Sequence, residues 1–111
     1  MINTQSIKYD LEERTLDFAV KCREFLGSVK KDIASNEYSK QLARSSGSVA
    51  AKYIEANESL SKKDFAMRAK ICRKEAKESQ LWLKLLRAPL ELIDEASQLT
   101  KIFGSIVEKS K

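Results

Sequence analysis

The sequence predicts an all-α protein, an antiparallel up-down-up-down four-helix bundle, and three observations predict it. Apolar residues recur at alternating spacings of four and three through most of the chain. Only three Gly and one Pro stand among 111 residues, so few breakers interrupt those runs. The breaks that do occur leave four segments of roughly 20 to 27 residues with connections of about two to six, and connections that short make successive helices antiparallel. A chain of this size forms one domain and buries about two-thirds of its unfolded surface, enough for a core without staples. The bundle is expected over residues 10–111, with residues 1–9 a flexible N-terminal arm.

The first helix is expected to open at Asp10, with Glu13 three residues later and acids crowded into the first turns, as the helix dipole favours. Leu11, Thr15, Phe18, Cys22, Phe25 and Val29 form its seam, which Leu16, Val20 and Leu26 widen. Gly27, Lys30 and Lys31 mark a weakening end, so the helix stops between Val29 and Ile33. Ser35 and Asn36 offer the next N-cap. The second helix, residues 37–57, buries Tyr38, Leu42, Val49, Ala50, Tyr53 and Ile54. Its centre sets Ser45, Ser46, Gly47 and Ser48 together, a small patch that allows close helix contact or a bend, with a mid-helix Gly that costs up to about 1 kcal/mol against Ala.

The third segment, residues 61–87, organises the rest. Ser61 and Asp64 make a capping-box start, and no Gly or Pro follows before Pro89. Phe65, Ala69, Cys72, Ala76, Ser79, Leu83 and Leu86 form a seam that is small in the middle. Ala69, Cys72, Ala76 and Ser79 are expected to face the small patch of the second helix. Pro89 suits the first turn of the fourth helix, with Glu91, Asp94 and Glu95 near its positive end. Leu92, Ala96, Leu99, Phe103 and Ile106 complete the core.

Charge is uneven. Residues 1–60 hold nine basic and nine acidic side chains, whereas residues 61–88 hold nine basic against three acidic. The net charge of +5 therefore resides on the third helix, which favours an anionic partner. Lys70, Arg73, Lys77, Lys84 and Arg87 follow one seam, and none has a carboxylate three or four residues away within the helix. Like-charge neighbours at that spacing cost a few tenths of a kcal/mol each. The stripe is either a solvated face or a surface that meets anions elsewhere. Met67, Ile71, Trp82 and Leu85 form a second apolar flank on the same helix, a candidate subunit contact.

Catalysis is not expected. There is no histidine, hence neither the commonest general base nor the usual zinc ligand, and a di-iron bundle cannot be built. No phosphate-cradling Gly loop or nucleophile elbow occurs. Glu75 and Glu78 share a face with Ile71, Trp82 and Leu85, and either solvation or pairing with a neighbour's cation accounts for them. Tyr38, Tyr53 and Trp82 read as packing residues. Cys22 and Cys72 lie on apolar seams and are expected as buried, reduced thiols without a metal. With no run near 18 apolar residues and no signal pattern in MINTQSIKYD, the chain is expected to be soluble and cytoplasmic, without cofactor or membrane partner.

The runs YDLEERTLDFAVKCREFL and KQLARSSGSVAAKYIEANESLSKKDFAMRAKICRKEAKESQLWLKLL closely resemble the four-helix-bundle proteins of the 23S rRNA intervening-sequence family. The likeness covers residues 9–86; the last helix matches in periodicity. Ser48-Val49-Ala50 departs from the Pro that many members carry in the second helix, which leaves a bend there open. The resemblance implies a bacterial antiparallel bundle assembling as a ring-shaped homopentamer. It also implies kinship with the accessory variability protein of diversity-generating retroelements, which binds a reverse transcriptase and nucleic acid. Most members have no established activity. Two functions follow: a non-enzymatic oligomeric scaffold binding RNA or DNA through the stripe, or a structural or protein-interaction oligomer whose stripe meets acidic residues such as Glu91, Asp94 and Glu95.

Overall fold

A computed structural model of the chain describes residues 4–111, with side chains from Asp10 onward. It contains four helices, α1 (Thr4–Leu26), α2 (Ile33–Asn57), α3 (Lys62–Leu85) and α4 (Leu90–Lys109), and no strand among the described residues. The all-α expectation holds, and the corrections fall at helix ends. Helix α1 begins six residues before Asp10, because nothing in residues 4–9 breaks a helix. Part of the expected arm is thus helical, and its remainder, residues 1–3, lies outside the described residues. The helix ends at Leu26, where the Gly27 amide is shared between the Arg23 and Glu24 carbonyls. Helix α2 starts at Ile33 because Asp32, not Ser35 or Asn36, caps it by accepting the Ser35 amide at 2.8 Å. The start of α3 is as expected, with Ser61 accepting the Asp64 amide at 3.0 Å.

The end of α3 is not. The helix stops at Leu85, and Arg87 takes a left-handed conformation at φ 57°. The Ala88 amide bonds the Leu83 carbonyl at 2.9 Å and the Arg87 amide bonds that of Lys84 at 3.1 Å, the two bonds of a Schellman ending. Leu83 and Ala88, both buried, supply its apolar contact. The left-handed position usually holds Gly, and a side chain there costs about 1 kcal/mol or more.

Each helix packs on its chain neighbour, and α1 closes on α4 over a short stretch; among the described residues the α1 and α3 backbones make no close approach. The α2–α3 seam is the tightest. Partners along it run in opposite sense: Arg44 with Glu75 and Glu78, Ser45 with Ser79, Val49 with Cys72, Glu55 with Arg68. The Ser79 hydroxyl donates to the Glu75 carbonyl at 2.9 Å, so its 2.8 Å contact with Ser45 must take the Ser45 proton. Ser45 thus faces α3 as expected and Ser46 lies buried beside Cys22 of α1, but Gly47 faces open space. The core gathers Phe18, Leu42, Leu83, Leu99 and Phe103, with the rings of Tyr53 and Phe103 tilted at 5.6 Å. Both cysteines are free, and burial pushes each thiol up to about 12. Leu16, Val20 and Ile54, expected in the core, instead face solvent.

A candidate nucleic-acid interface on the third helix

Helix α3 has two flanks of opposite electrostatic character. On the side of α2, all three of its carboxylates are occupied. Glu75 lies buried and receives Arg44 Nη1 at 3.0 Å, while Arg44 Nη2 reaches Glu78 at 3.0 Å. Asp64 receives Arg68 Nε at 3.2 Å, and Arg68 Nη1 bridges to Glu55 of α2 at 2.9 Å. These bonds, that to Asp64 first, hold the Arg68 guanidinium above its ordinary pKa; Glu55, bonded first to Lys52, lies below its own. Glu75 and Glu78 are therefore partners of a neighbouring arginine.

The other flank keeps its cations free. Lys70, Lys77, Lys84 and Arg87 are exposed, Arg73 is half-buried, and none of the five makes an ion pair among the described residues. Arg73 marks the border with α4: a Cβ added at Gly104 would stand 3.7 Å from its Cδ, so the aliphatic stem lies along α4. Lys70, Arg73, Lys77 and Lys84 ride on the helix itself, whereas Arg87 is fixed by the Schellman turn just beyond it. At about 1.5 Å per residue, Lys70 to Lys84 spans roughly 20 Å, several phosphate spacings of an extended strand.

The expected apolar flank divides. Met67 and Leu85 are exposed, whereas Ile71 and Trp82 are half-buried. The Trp82 ring stacks on Tyr38 of α2 with centroids 5.9 Å apart, and its Nε1 is buried without a partner among the described residues. Packing within one chain thus explains much of Trp82. Sequence reasoning missed Leu81, which is 49% exposed and one turn from Leu85; its heptad register with Lys74 and Met67 was the available signal. On α4, Glu95 is not free to meet the stripe of another copy, because Arg14 holds both its oxygens at 2.8 Å. Glu91 and Asp94 make no ion pair among the described residues. No helix among the described residues is long and apolar enough to cross a membrane.

The sequence model of the family described as 23S rRNA-intervening sequence protein matches residues 8–109, including the last helix. A crystal structure of a protein with unknown function from the S23 ribosomal protein family of Bacteroides thetaiotaomicron matches with a TM-score of 0.75 and 29% sequence identity, covering 86% of this chain and 96% of that one. No curated protein matches the chain.

Proposed function

Because the chain belongs to the 23S rRNA-intervening sequence protein family, we propose that it is a non-enzymatic, self-associating scaffold that binds nucleic acid, RNA above all, through the α3 stripe. In this reading the bundle is up-down-up-down, five copies close a ring in the cytoplasm, and Met67 and Leu85 contribute to contacts between copies. One observation carries the nucleic-acid part. Every carboxylate of α3 is consumed on the α2 side, while the five cations toward the α4 side make no ion pair among the described residues. Such a surface binds phosphate oxygens and reads no base edges, so affinity depends on salt and tolerates sequence.

The test is an anisotropy titration against unrelated single-stranded RNAs and DNAs at two salt concentrations, repeated with Lys70, Arg73 and Lys77 replaced by Gln. Affinity is expected to fall linearly on a log–log plot with salt, and the triple variant to flatten the slope by about 0.7 per lost contact. Equal binding by parent and variant would remove the stripe from the reading. The competing function, a scaffold without nucleic acid, is favoured by Glu91 and Asp94, which make no ion pair among the described residues and could take the stripe of a neighbouring copy. It requires the stripe lysines to be shielded from amine-reactive reagents in the assembled protein.

A further inference from the structure

Helices α1 and α3 occupy separate corners of the fold, and each turns an apolar row to solvent. On α1, Leu16 and Val20 lie one turn apart and are 59% and 40% exposed. They line a shallow surface groove with Asp10, Glu13, Arg14 and Asp17; Arg14 is engaged by Glu95 and Asp17 by the exposed Lys21, which leaves Asp10 and Glu13 outside any ion pair among the described residues. On α3, Met67, Leu81 and Leu85 are 57%, 49% and 45% exposed. Lys74 stands seven residues from both Met67 and Leu81, hence on the same face. The other exposed large apolar residues occur singly: Ile54 within α2, and Ile33, Leu60 and Leu90 at helix starts or in a turn.

We propose that the outer face of α3 in one copy docks on the outer face of α1 in the next. The one-turn pair Leu16 and Val20 matches the one-turn pair Leu81 and Leu85, and the rims carry opposite charge. Neither face suits itself: α1 against α1 would oppose acids, and α3 against α3 would oppose lysines. The contact is therefore heterologous, each copy giving one face and receiving the other, the arrangement that generates rings. It uses Lys74 at its rim, and because Lys77 and Lys84 stand one turn to either side of Leu81, the contact borders the cationic stripe. This inference rests on the self-association part of the proposed function.

Two variants test it, Leu16→Glu with Val20→Glu, and Leu81→Glu with Leu85→Glu. All four positions are exposed, so both variants should keep a cooperative helical melt, lowered from the parent's only by the loss of assembly. Light scattering should show an oligomeric parent, each variant alone as a monomer, and their equimolar mixture as a dimer of twice 12.6 kDa, since each supplies the face the other lacks. Variants that keep the parent's mass, or a mixture that stays monomeric at high concentration, would overturn the α1–α3 pairing and leave self-association standing. A monomeric parent would remove self-association itself. Should either variant lose its cooperative melt, Glu13→Lys and Lys74→Glu decide: each alone should weaken assembly and the two together restore it, and additive weakening would refute the contact.

Discussion

Replacing Arg44 with Ala is the perturbation whose cost the structure bounds most closely. The Glu75 side chain is 6% exposed, and its oxygens receive Arg44 Nη1 at 3.0 and 3.5 Å. Its next cation, Lys74, stands 3.9 Å away at the limit of an ion pair. Removing the guanidinium leaves a buried carboxylate with one distant, solvated counter-charge. Breaking a fully buried pair costs about 3–5 kcal/mol, whereas an exposed pair contributes about 0.2–1 kcal/mol. Arg44 is itself 50% exposed, so water can enter the vacated space and the cost falls between these limits, at about 2 kcal/mol. With an unfolding entropy near 2.1 cal/mol/K per residue, the Tm should drop by about 9 °C. Glu75→Gln keeps the shape and leaves Arg44 bonded to Glu78, so it should cost about 1 kcal/mol. Glu78→Gln removes only a half-exposed partner and should cost about 0.5 kcal/mol. Thermal melts by circular dichroism at pH 7 should give that order, with added salt shrinking the Glu78 effect far more than the Arg44 effect. An Arg44→Ala protein melting within about 2 °C of the parent, or a larger loss from Glu78→Gln, would refute the assignment of Arg44 as the buried carboxylate's partner.

Four further outcomes are expected. Ala76 is fully buried on the core face of α3, so Ala76→Leu should overpack it and destabilise by about 1–3 kcal/mol, and an unchanged melt would show that the neighbouring helices stand farther off. Gly47 has nothing within 4 Å of an added Cβ, so Gly47→Ala should stabilise by about 0.5–1 kcal/mol in the same melts; destabilisation would mean that the position is covered. Arg87→Gly should relieve the left-handed backbone by about 1 kcal/mol while weakening RNA binding in the anisotropy assay, and a loss of stability would contradict the Schellman ending. Bonds from Ser35 hold the Asp32 carboxyl below its ordinary 3.8, so the folded state binds that proton less readily than the unfolded chain and the stabilisation is complete above the ordinary value and lost as pH falls through the folded one. Asp32→Asn, which keeps a capping acceptor, should flatten the fall in Tm between pH 5 and pH 3; an unaltered fall would place the acid sensitivity elsewhere.

Helix number, the α3 start and the cationic stripe were legible because each rests on local chemistry: period, capping box and charge spacing. The α2 start was less so, since Asp32 and Ser35 are both good caps and the intervening Ile33 faces solvent, giving no periodic cue. Leu16, Val20 and Ile54 were misplaced for a different reason. How wide an apolar arc a helix buries depends on how many neighbours cover it, and that is set by packing rather than by its own sequence. Helix α1 is covered broadly by α2 and only briefly by α4, so its buried arc is narrow. The flanks of α3 were separable only after Arg44 and Arg68 were seen to take its acids. Gly47 reads as a packing glycine beside its serines, yet the helical turn carries it outward.

The brief closure of α1 on α4 means that the bundle's stability is not shared equally. Helices α2, α3 and α4 form a continuous packed unit, whereas α1 adds Phe18 and Cys22 to the core, packs on α2, and meets α4 over a short stretch that includes Arg14 on Glu95 and Gln98. A segment secured in this way opens by a partial unfolding that leaves the remainder intact, and it sets a free energy for amide exchange below the global one. Amides of α1 should therefore lose protection first, and clipping by proteases should begin there. Any partner that covers the outer face of α1 would then tighten the weakest member of the fold and slow its exchange without altering the other three helices.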